Sequence, residues 1–225
     1  MTTEERISEW LQEPFDTETQ NAVLNLKQKP EKLEDAFYTS LQFGTGGMRG
    51  IMGVGTNRIN KYTLGKSTQG LTHFLKKKYP NEQIKVVIAY DCRHQSKSLA
   101  KVVADVFTAN GIYCYLFSDL RPTPELSFAV RDLNAHCASV LTASHNPPEY
   151  NGYKVYGKEG GQLVPPEDKA VIQEIEKTTY DQIQFKGNAT FIHYVDEKID
   201  NVYQEVVLQE AKMELEDRSA LQIVF

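Results

Sequence analysis

The sequence lacks several features that would assign it at once to a large class of proteins. No apolar run approaches the ~20 residues that a membrane-spanning helix needs, and residues 1–6 hold no apolar signal-peptide segment. The net charge of -5 speaks against nucleic acid as the main partner, because binding to a phosphate backbone needs a basic face. We therefore expect a cytoplasmic protein with neither a membrane nor a nucleic-acid partner.

Cysteine is also scarce. The three cysteines are Cys92, Cys114 and Cys137, an odd number without C-x-x-C spacing. Two of them lie in apolar, strand-like runs, which predicts buried free thiols in a reducing compartment.

Several catalytic motifs are missing as well. Residues 43–50 contain four glycines and Arg49, but the G-x-G-x-x-G spacing of dinucleotide sites fails and no Gly-Lys-Ser/Thr of a P-loop follows. Glycine permits close backbone approach, so successive N–H groups could form an anion-binding concavity with Arg49 at its lip. Taken alone, a plain tight turn explains this stretch better. The absence of G-x-S-x-G makes a serine hydrolase a distant possibility.

What the sequence does contain is an ordinary globular composition with a clear alternation of elements. The first forty residues read as packing helices with Trp10 on an apolar face, and residues 181–189 read as a polar linker. Strands are predicted at residues 84–90, 112–117 and 137–141; helices at 61–79, 96–110, 124–133, 166–178 and 195–214; and a hairpin at 153–156, turning at Gly160-Gly161. Strands that alternate with helices over short connections predict a parallel α/β sheet with right-handed crossovers.

The predicted topology indicates which segments of the chain lie together at one edge of the sheet. Ligands of open α/β sheets bind outside the carboxyl ends of the strands. The segments that leave those ends are residues 91–94, 118–124 and 142–146, and they carry arginines and a serine. The sequence therefore predicts an anionic substrate at this rim, most simply a phosphate ester.

Ser144 is the most conspicuous of these residues. It precedes Pro147-Pro148, which can continue neither helix nor strand, so the serine is presented on a stiffened loop. Its hydroxyl could equally cap a turn. His145 could be a structural histidine, and Lys154 a solvated lysine.

Four segments carry a resemblance to a known family. Residues 142–154 resemble the phosphoserine loop of the α-D-phosphohexomutases, and residues 43–50 resemble their glycine–arginine loop. Residues 122–124 and 90–93 are similar to two further segments, in the family's order. The N-terminal helices resemble the branch that contains phosphoglucomutases and phosphopentomutases.

The resemblance implies a role for each matching residue. Ser144 would be phosphorylated in the resting enzyme and would pass its phosphoryl group to a sugar monophosphate through a bisphosphate intermediate. His145 would position the group, Lys154 would act as general base or electrostatic partner, and Arg49 would hold phosphoryl charge. The implied phosphate-binding residues are Gly46, Gly47, Arg93, Asn146 and Thr123.

The resemblance also implies Mg²⁺ as a cofactor and glucose 1,6-bisphosphate as an activator. One Mg²⁺ ligand would be the phosphate on Ser144. The other ligands would come from an Asp-x-Asp-x-Asp-Arg loop, which these 225 residues do not contain. The remaining domains of a longer chain would thus be partners of this one.

We therefore expect an α/β, three-layer domain with a mixed, mainly parallel sheet in residues 1–188, and the start of a second, similar domain in residues 189–225. The apolar end, residues 221–225, reads as a buried strand of that second domain. The expected function is interconversion of glucose 1-phosphate and glucose 6-phosphate, with little activity in the fragment alone. Mannose or pentose phosphate specificity and a non-catalytic phosphosugar-binding protein are the alternatives.

Overall fold

The structure is a computed structural model that describes residues 1–210 and 222. These residues form one six-stranded sheet and eight α-helices. The strands are β1 (Gly47–Ile51), β2 (Lys85–Tyr90), β3 (Tyr113–Leu116), β4 (Cys137–Leu141), β5 (Tyr150–Gly157) and β6 (Ile192–Tyr194). The helices are α1 (Thr3–Glu9), α2 (Thr17–Leu26), α3 (Pro30–Phe37), α4 (Lys61–Lys78), α5 (Ser96–Ala109), α6 (Thr123–Asp132), α7 (Glu167–Lys177) and α8 (Asp196–Glu210).

The sheet is mixed and mainly parallel, in the order β1-β5-β4-β2-β3-β6. Strands β4, β2, β3 and β6 run parallel, with Val86 of β2 opposite both Cys114 and Cys137. Strand β5 pairs antiparallel with β4, and β1 pairs antiparallel with β5. The predicted fold class is therefore confirmed, with an antiparallel edge added beside the parallel strands.

Helices cover both faces of the sheet, and the alternation along β2 shows how. Val86 and Ile88 belong to an apolar cluster shared with α4, α5 and α7. Val87 and Ala89 belong to a second cluster shared with α6 and α8. A strand buried on both faces needs apolar residues at every position, which is why β2 reads as a continuous apolar run.

The N-terminal helices form a separate aromatic cluster against α4. Trp10 is fully buried and stacks on Phe15 with ring centroids 4.5 Å apart, while Tyr62 of α4 closes the cluster. The packing role expected for these helices is confirmed. Leu24 of α2 lies outside this packing, since the residue is 48% exposed.

Three local expectations need correction. Strand β1 lies inside the glycine-rich stretch, where no strand was expected, and it is held by pairing with β5. Strand β5 begins at Tyr150, three residues before the predicted hairpin strand. The predicted turn at Gly160-Gly161 is present: the Gly157 N–H donates to the Gly161 carbonyl, and Tyr156 forms an antiparallel bridge with Gln162. Residues 181–189 are not a free linker, since Ile183 is buried and Phe185 packs on Tyr62.

The chain end bears on the predicted division into domains. Strand β6 adds to the same sheet beside β3, and Ile199 of α8 is buried in the cluster under α6. Helix α8 is described as far as Glu210; its predicted continuation to residue 214 and the predicted strand at 221–225 lie outside the described residues. The boundary between residues 188 and 189 stays a prediction.

The structure places two of the three cysteines in the core, as the sequence predicted. Cys114 and Cys137 are buried and Cys92 is exposed, and all three are free thiols. Burial raises the pKa of Cys137 to about 12, so that this thiol stays protonated and inert. Among the described residues, none of the helices combines the length and the apolar character required to cross a bilayer.

Candidate functional site

The serine loop, defined here as residues 142–150, connects β4 to β5 at the carboxyl end of the parallel strands. Ser144 is exposed and has a φ of 54°, a left-handed conformation that side-chain-bearing residues seldom adopt. Its backbone N–H donates to Thr142 Oγ1 at 3.0 Å, which holds this conformation from the buried side of the loop. Its Oγ lies 3.3 Å from His145 Nδ1. The hydroxyl is therefore displayed to solvent with an imidazole beside it.

Arg93, in the loop after β2, fixes the path of the serine loop. Its Nη2 donates to the carbonyl oxygens of Ser144 and Asn146, each at 2.6 Å. Its Nη1 donates to the carbonyls of Pro147 at 2.7 Å and Tyr150 at 3.3 Å. Both terminal nitrogens are used in this way, so Arg93 supports the loop. A contact between Arg93 and substrate phosphate stays a prediction.

Asn151 joins the same two loops from the buried side, and sequence reasoning did not single it out. The residue is fully buried, and its Nδ2 donates to the His94 carbonyl and to Ser96 Oγ, both at 3.0 Å. Ser96 Oγ in turn donates to Asp91 Oδ1 at 3.3 Å. The sequence did not indicate this buried anchoring role of Asn151, because an Asn-Gly pair is typical of exposed turns. The serine loop is thus anchored on both sides to residues 91–96.

Arg49 and Lys154 project from one face of the edge strands. Arg49 lies opposite Gly152, and Lys154 lies opposite Gly47, so the two long side chains alternate with glycines on the same face. Arg49 Nη1 donates to Asn146 Oδ1 at 2.6 Å, which connects β1 to the serine loop. Both cations line a groove of about 380 Å³ whose wall includes Gln162, another residue that the sequence did not suggest.

The glycine-rich stretch forms a tight turn at the end of this groove. The N–H groups of Gly44 and Gly47 donate to each other's carbonyl oxygens at 2.8 and 3.2 Å, so neither is free to bind an anion. Gly47 has a φ of 155°, and a Cβ there would lie 2.2 Å from the Tyr153 carbonyl oxygen. The glycine allows β1 and β5 to approach closely and leaves Arg49 at the lip of the groove, as expected. Phosphate binding by Gly46 and Gly47 stays a prediction.

Thr123 lies apart from these residues. It is the first residue of α6, beyond the end of β3, which is two strands away from β4. Within residues 1–210 no hydrogen bond joins Thr123 to the serine loop. Its neighbour Arg121 forms a bidentate ion pair with Asp200 of α8, both bonds at 2.6 Å. The structure therefore places Arg121, an arginine of the predicted rim, in a salt bridge.

The residues described here do not form a metal site of their own. Within residues 1–210 and 222, no three His, Cys, Asp or Glu side chains come together in a way that could hold a metal ion. The Mg²⁺ implied by the sequence resemblance would find Ser144, once phosphorylated, as its ligand from this chain.

Fold and site together describe a three-layer α/β domain that presents a serine loop at the carboxyl ends of its parallel strands. Residues 40–182 match the family described as "Phosphoglucomutase/phosphomannomutase, alpha/beta/alpha domain I". The chain belongs to this family.

Individual relatives agree with this assignment. The chain is 38% identical over 196 residues to a phosphoglucomutase of Staphylococcus aureus (strain bovine RF122 / ET3-1), covering 85% of this chain and 35% of the relative. It is 37% identical over 183 residues to a phosphopentomutase of Homo sapiens, covering 77% of this chain and 30% of the relative. The chain thus spans about a third of the length of these relatives.

Solved structures give the same result for the fold. A candidate phosphomannomutase from Thermus thermophilus superimposes with a TM-score of 0.65 at 27% identity, covering 76% of this chain and 36% of that one. A phosphoglucomutase/phosphomannomutase family protein from Burkholderia thailandensis gives a TM-score of 0.57 at 20% identity, over 75% of this chain and 35% of that one, and supports the fold alone.

Proposed function

We propose that this chain is the serine-bearing part of a phosphosugar mutase and that Ser144 carries the phosphoryl group. The observation that carries the proposal is the exposed Ser144 hydroxyl on a loop whose backbone is fixed by Arg93. Arg49 reaches the same loop through Asn146, at 2.6 Å. Family membership and relatives named phosphoglucomutase and phosphopentomutase support the same reaction class.

The proposed chemistry is a transfer in two directions. The bond between phosphorus and Ser144 Oγ breaks as a bond forms from phosphorus to a sugar hydroxyl, giving a sugar bisphosphate and a free serine. The proton of the sugar hydroxyl is taken up by Lys154, and His145 returns a proton to the serine oxygen beside it. After the bisphosphate turns over, its other phosphoryl group returns to Ser144. Phosphoryl transfer depends mainly on positioning and on cations around the equatorial oxygens. Arg49 supplies one such cation throughout, and Lys154 becomes a second one as it takes up the proton.

For the substrate we propose glucose 1-phosphate and glucose 6-phosphate, in the reducing cytoplasm that three free thiols suit. Pentose phosphates are the alternative, because the human relative is a phosphopentomutase. A divalent cation would add charge neutralisation at the phosphate when bound. Since the described residues supply no cage for it, we propose that the chain by itself turns over little substrate.

The test is phosphate incorporation. The 225-residue chain, Ser144→Ala and Lys154→Met are incubated with glucose 1,6-bisphosphate or ribose 1,5-bisphosphate, with and without Mg²⁺, with the sugar in molar excess over the protein. We expect up to one phosphate per chain, located at Ser144 by peptide mass spectrometry, absent in Ser144→Ala and slower in Lys154→Met. The sugar that reacts faster identifies the substrate class.

Three outcomes would contradict the proposal or a part of it. Binding of a sugar phosphate without any phosphate on Ser144 would indicate a phosphosugar-binding protein. Modification that persists in Ser144→Ala would place the acceptor elsewhere. Turnover by the isolated chain comparable to that of a full-length phosphoglucomutase would contradict the expectation of low activity.

A further inference from the structure

A second polar cavity lies behind the glycine-rich turn, between α1, α4 and α7. It has a volume of about 500 Å³, within the range of small-molecule sites, and Arg6, Ser40, Lys66, Ser67 and Glu176 contribute to its lining. Gln42 lines both this cavity and the groove of Arg49. The buried ring of Phe43 follows Gln42 in the segment that separates the two spaces.

Lys66 is the unusual residue of this cavity. Burial lowers its pKa, and the carboxylates of Glu9 and Glu176 oppose that shift. Within residues 1–210, however, the Lys66 ammonium makes no hydrogen bond and no ion pair; its nearest assigned contact is the Tyr180 ring, whose centroid lies 5.4 Å from Nζ. A partly desolvated ammonium without an acceptor is costly unless an anion or water satisfies it.

Further donors face the same space. Arg6 uses one terminal nitrogen, Nη1, to donate to the carbonyls of Phe37 and Tyr38 at 3.1 and 2.8 Å, which fixes the guanidinium at the cavity wall. The other guanidinium nitrogens of Arg6 make no hydrogen bond within residues 1–210. Among the same residues, the buried hydroxyl of Ser67 has only the Met48 sulfur as a partner, at 3.5 Å, and sulfur is a weak acceptor.

The acidic residues around the cavity do not cancel these donors. Glu176 is exposed at the mouth, and it pairs with neither Lys66 nor Arg6 at ion-pair distance. Glu9 lies on α1, where burial raises its pKa while Lys66 lowers it. Tyr180 is half-buried, and desolvation raises the pKa of its phenol, which keeps it neutral. Two cations and a hydroxyl therefore face a space in which the described chain places no paired anion.

We propose that this cavity is a second anion site, built by Lys66, Arg6 and Ser67 and distinct from the groove of Arg49 and Lys154, and that it binds the phosphate group of a small phosphorylated molecule. The volume exceeds that of a lone phosphate ion, so a phosphate monoester of a sugar fits its size as well as inorganic phosphate does. The assignment does not depend on phosphoryl transfer at Ser144.

The test is a titration followed by nuclear magnetic resonance on the 225-residue chain. Backbone amide shifts are recorded while inorganic phosphate, glucose 6-phosphate or, as an ionic-strength control, chloride is added. The variants are Lys66→Met, Arg49→Met and Lys76→Met, the last being an exposed lysine on the same helix. Thermal unfolding of each variant checks folding, and Lys66→Met should lose no stability because it removes an unpaired charge.

We expect phosphate to shift the amides of Ser40, Lys66 and Ser67 in the wild type, Arg49→Met and Lys76→Met, with affinity reduced at least tenfold in Lys66→Met. The pKa of the Lys66 ammonium should rise when phosphate is added. Tighter binding of glucose 6-phosphate than of inorganic phosphate would identify a monoester site, and the reverse a free-phosphate site. Equal affinity in Lys66→Met, loss of the shifts in Arg49→Met, or shifts reproduced by chloride would each overturn the proposal.

Discussion

Two loops leave neighbouring positions at the rim of the sheet, and each carries an arginine, but the structure uses the two arginines differently. In the loop after β2, Arg93 donates to four backbone carbonyls of the serine loop. In the loop after β3, Arg121 is held by Asp200, with Glu125 and Asp196 each 3.8 Å away. The first arginine shapes a loop that displays a side chain, and the second attaches a helix to the sheet.

The difference follows from the acceptors that surround each guanidinium. Carbonyl oxygens leave the charge of Arg93 uncompensated, so the serine loop receives a net positive field in addition to its fixed geometry. The carboxylates around Arg121 outnumber its single charge, so nothing of that charge is left for a ligand. Position at a ligand-binding rim therefore does not identify a ligand-binding arginine; the acceptors around it do.

The largest expected effect is that of Arg121→Met. Removing the guanidinium leaves Asp200, Asp196 and Glu125 close together without a cation, and breaking a largely buried ion pair is strongly destabilising. We expect a loss of about 3 kcal/mol in the free energy of unfolding, measured by urea denaturation at pH 7.5. Arg131→Met is the matched control, since Arg131 is exposed at the other end of α6. Equal losses in the two variants would mean that the ion pairs of Arg121 contribute little.

Arg93→Met should have a smaller and more local effect. Hydrogen bonds from a charged donor are worth roughly 1.5–3 kcal/mol each, but most of these carbonyls can turn to water, so we expect a total loss of about 2 kcal/mol. Hydrogen exchange should accelerate at residues 143–150 and stay unchanged in β2. Arg93→Lys should not restore protection, because an ammonium cannot span four carbonyls. Lys97→Met, an exposed change on the following helix, is the control, and an unchanged exchange rate in Arg93→Met would contradict the role of Arg93.

Elements that depend on local sequence patterns were predicted well, and elements that depend on distant contacts were not. The apolar run of β2 and the helical spacing of α5 follow from local patterns, and both were predicted almost to the residue. Strand β1 was not, because Gly47–Ile51 has little strand propensity and exists through its pairing with β5. The packing of Phe185, which lies in a polar segment, depends on an aromatic cluster assembled from distant residues.

For the candidate site, the sequence located the rim and the serine loop, and the family resemblance singled out Ser144, Arg49 and Lys154. The sequence could not show which arginine supports the serine loop and which forms an ion pair, because the acceptors of Arg93 and Arg121 come from segments distant in sequence. For the same reason Asn151 and the cavity at Lys66 had no local signal. Local sequence patterns predict tertiary contacts between polar residues poorly.

The change expected for a single pH unit is the smallest of these effects, and it again separates the two loops. Burial, together with the neighbouring Asp200, raises the pKa of Glu125 to about 7 from an ordinary value of 4.5. Between these two pKa values the folded protein binds more protons at Glu125 than the unfolded chain does. The contribution of Glu125 to the free energy of unfolding is therefore fully present below pH 4.5 and is lost as the pH rises through 7. The pKa of Asp200 is lowered by Arg121, so its contribution is lost only as the pH falls below its ordinary value of 3.8, outside this window.

We therefore expect the wild type to lose stability relative to Glu125→Gln by about 1 kcal/mol per pH unit inside the window. The comparison with Glu125→Gln is needed because burial lowers the pKa of His73 from its ordinary value of 6.5, so that its contribution to stability changes with pH in the opposite direction. Urea denaturation at several pH values measures the difference, and hydrogen exchange should place it in α6 and α8. Parallel pH profiles for the two proteins would mean that Glu125 is already ionised in the folded state. If hydrogen exchange showed the same pH-dependent loss of protection in the serine loop, the two loops would be coupled, contrary to the separation that their arginines indicate.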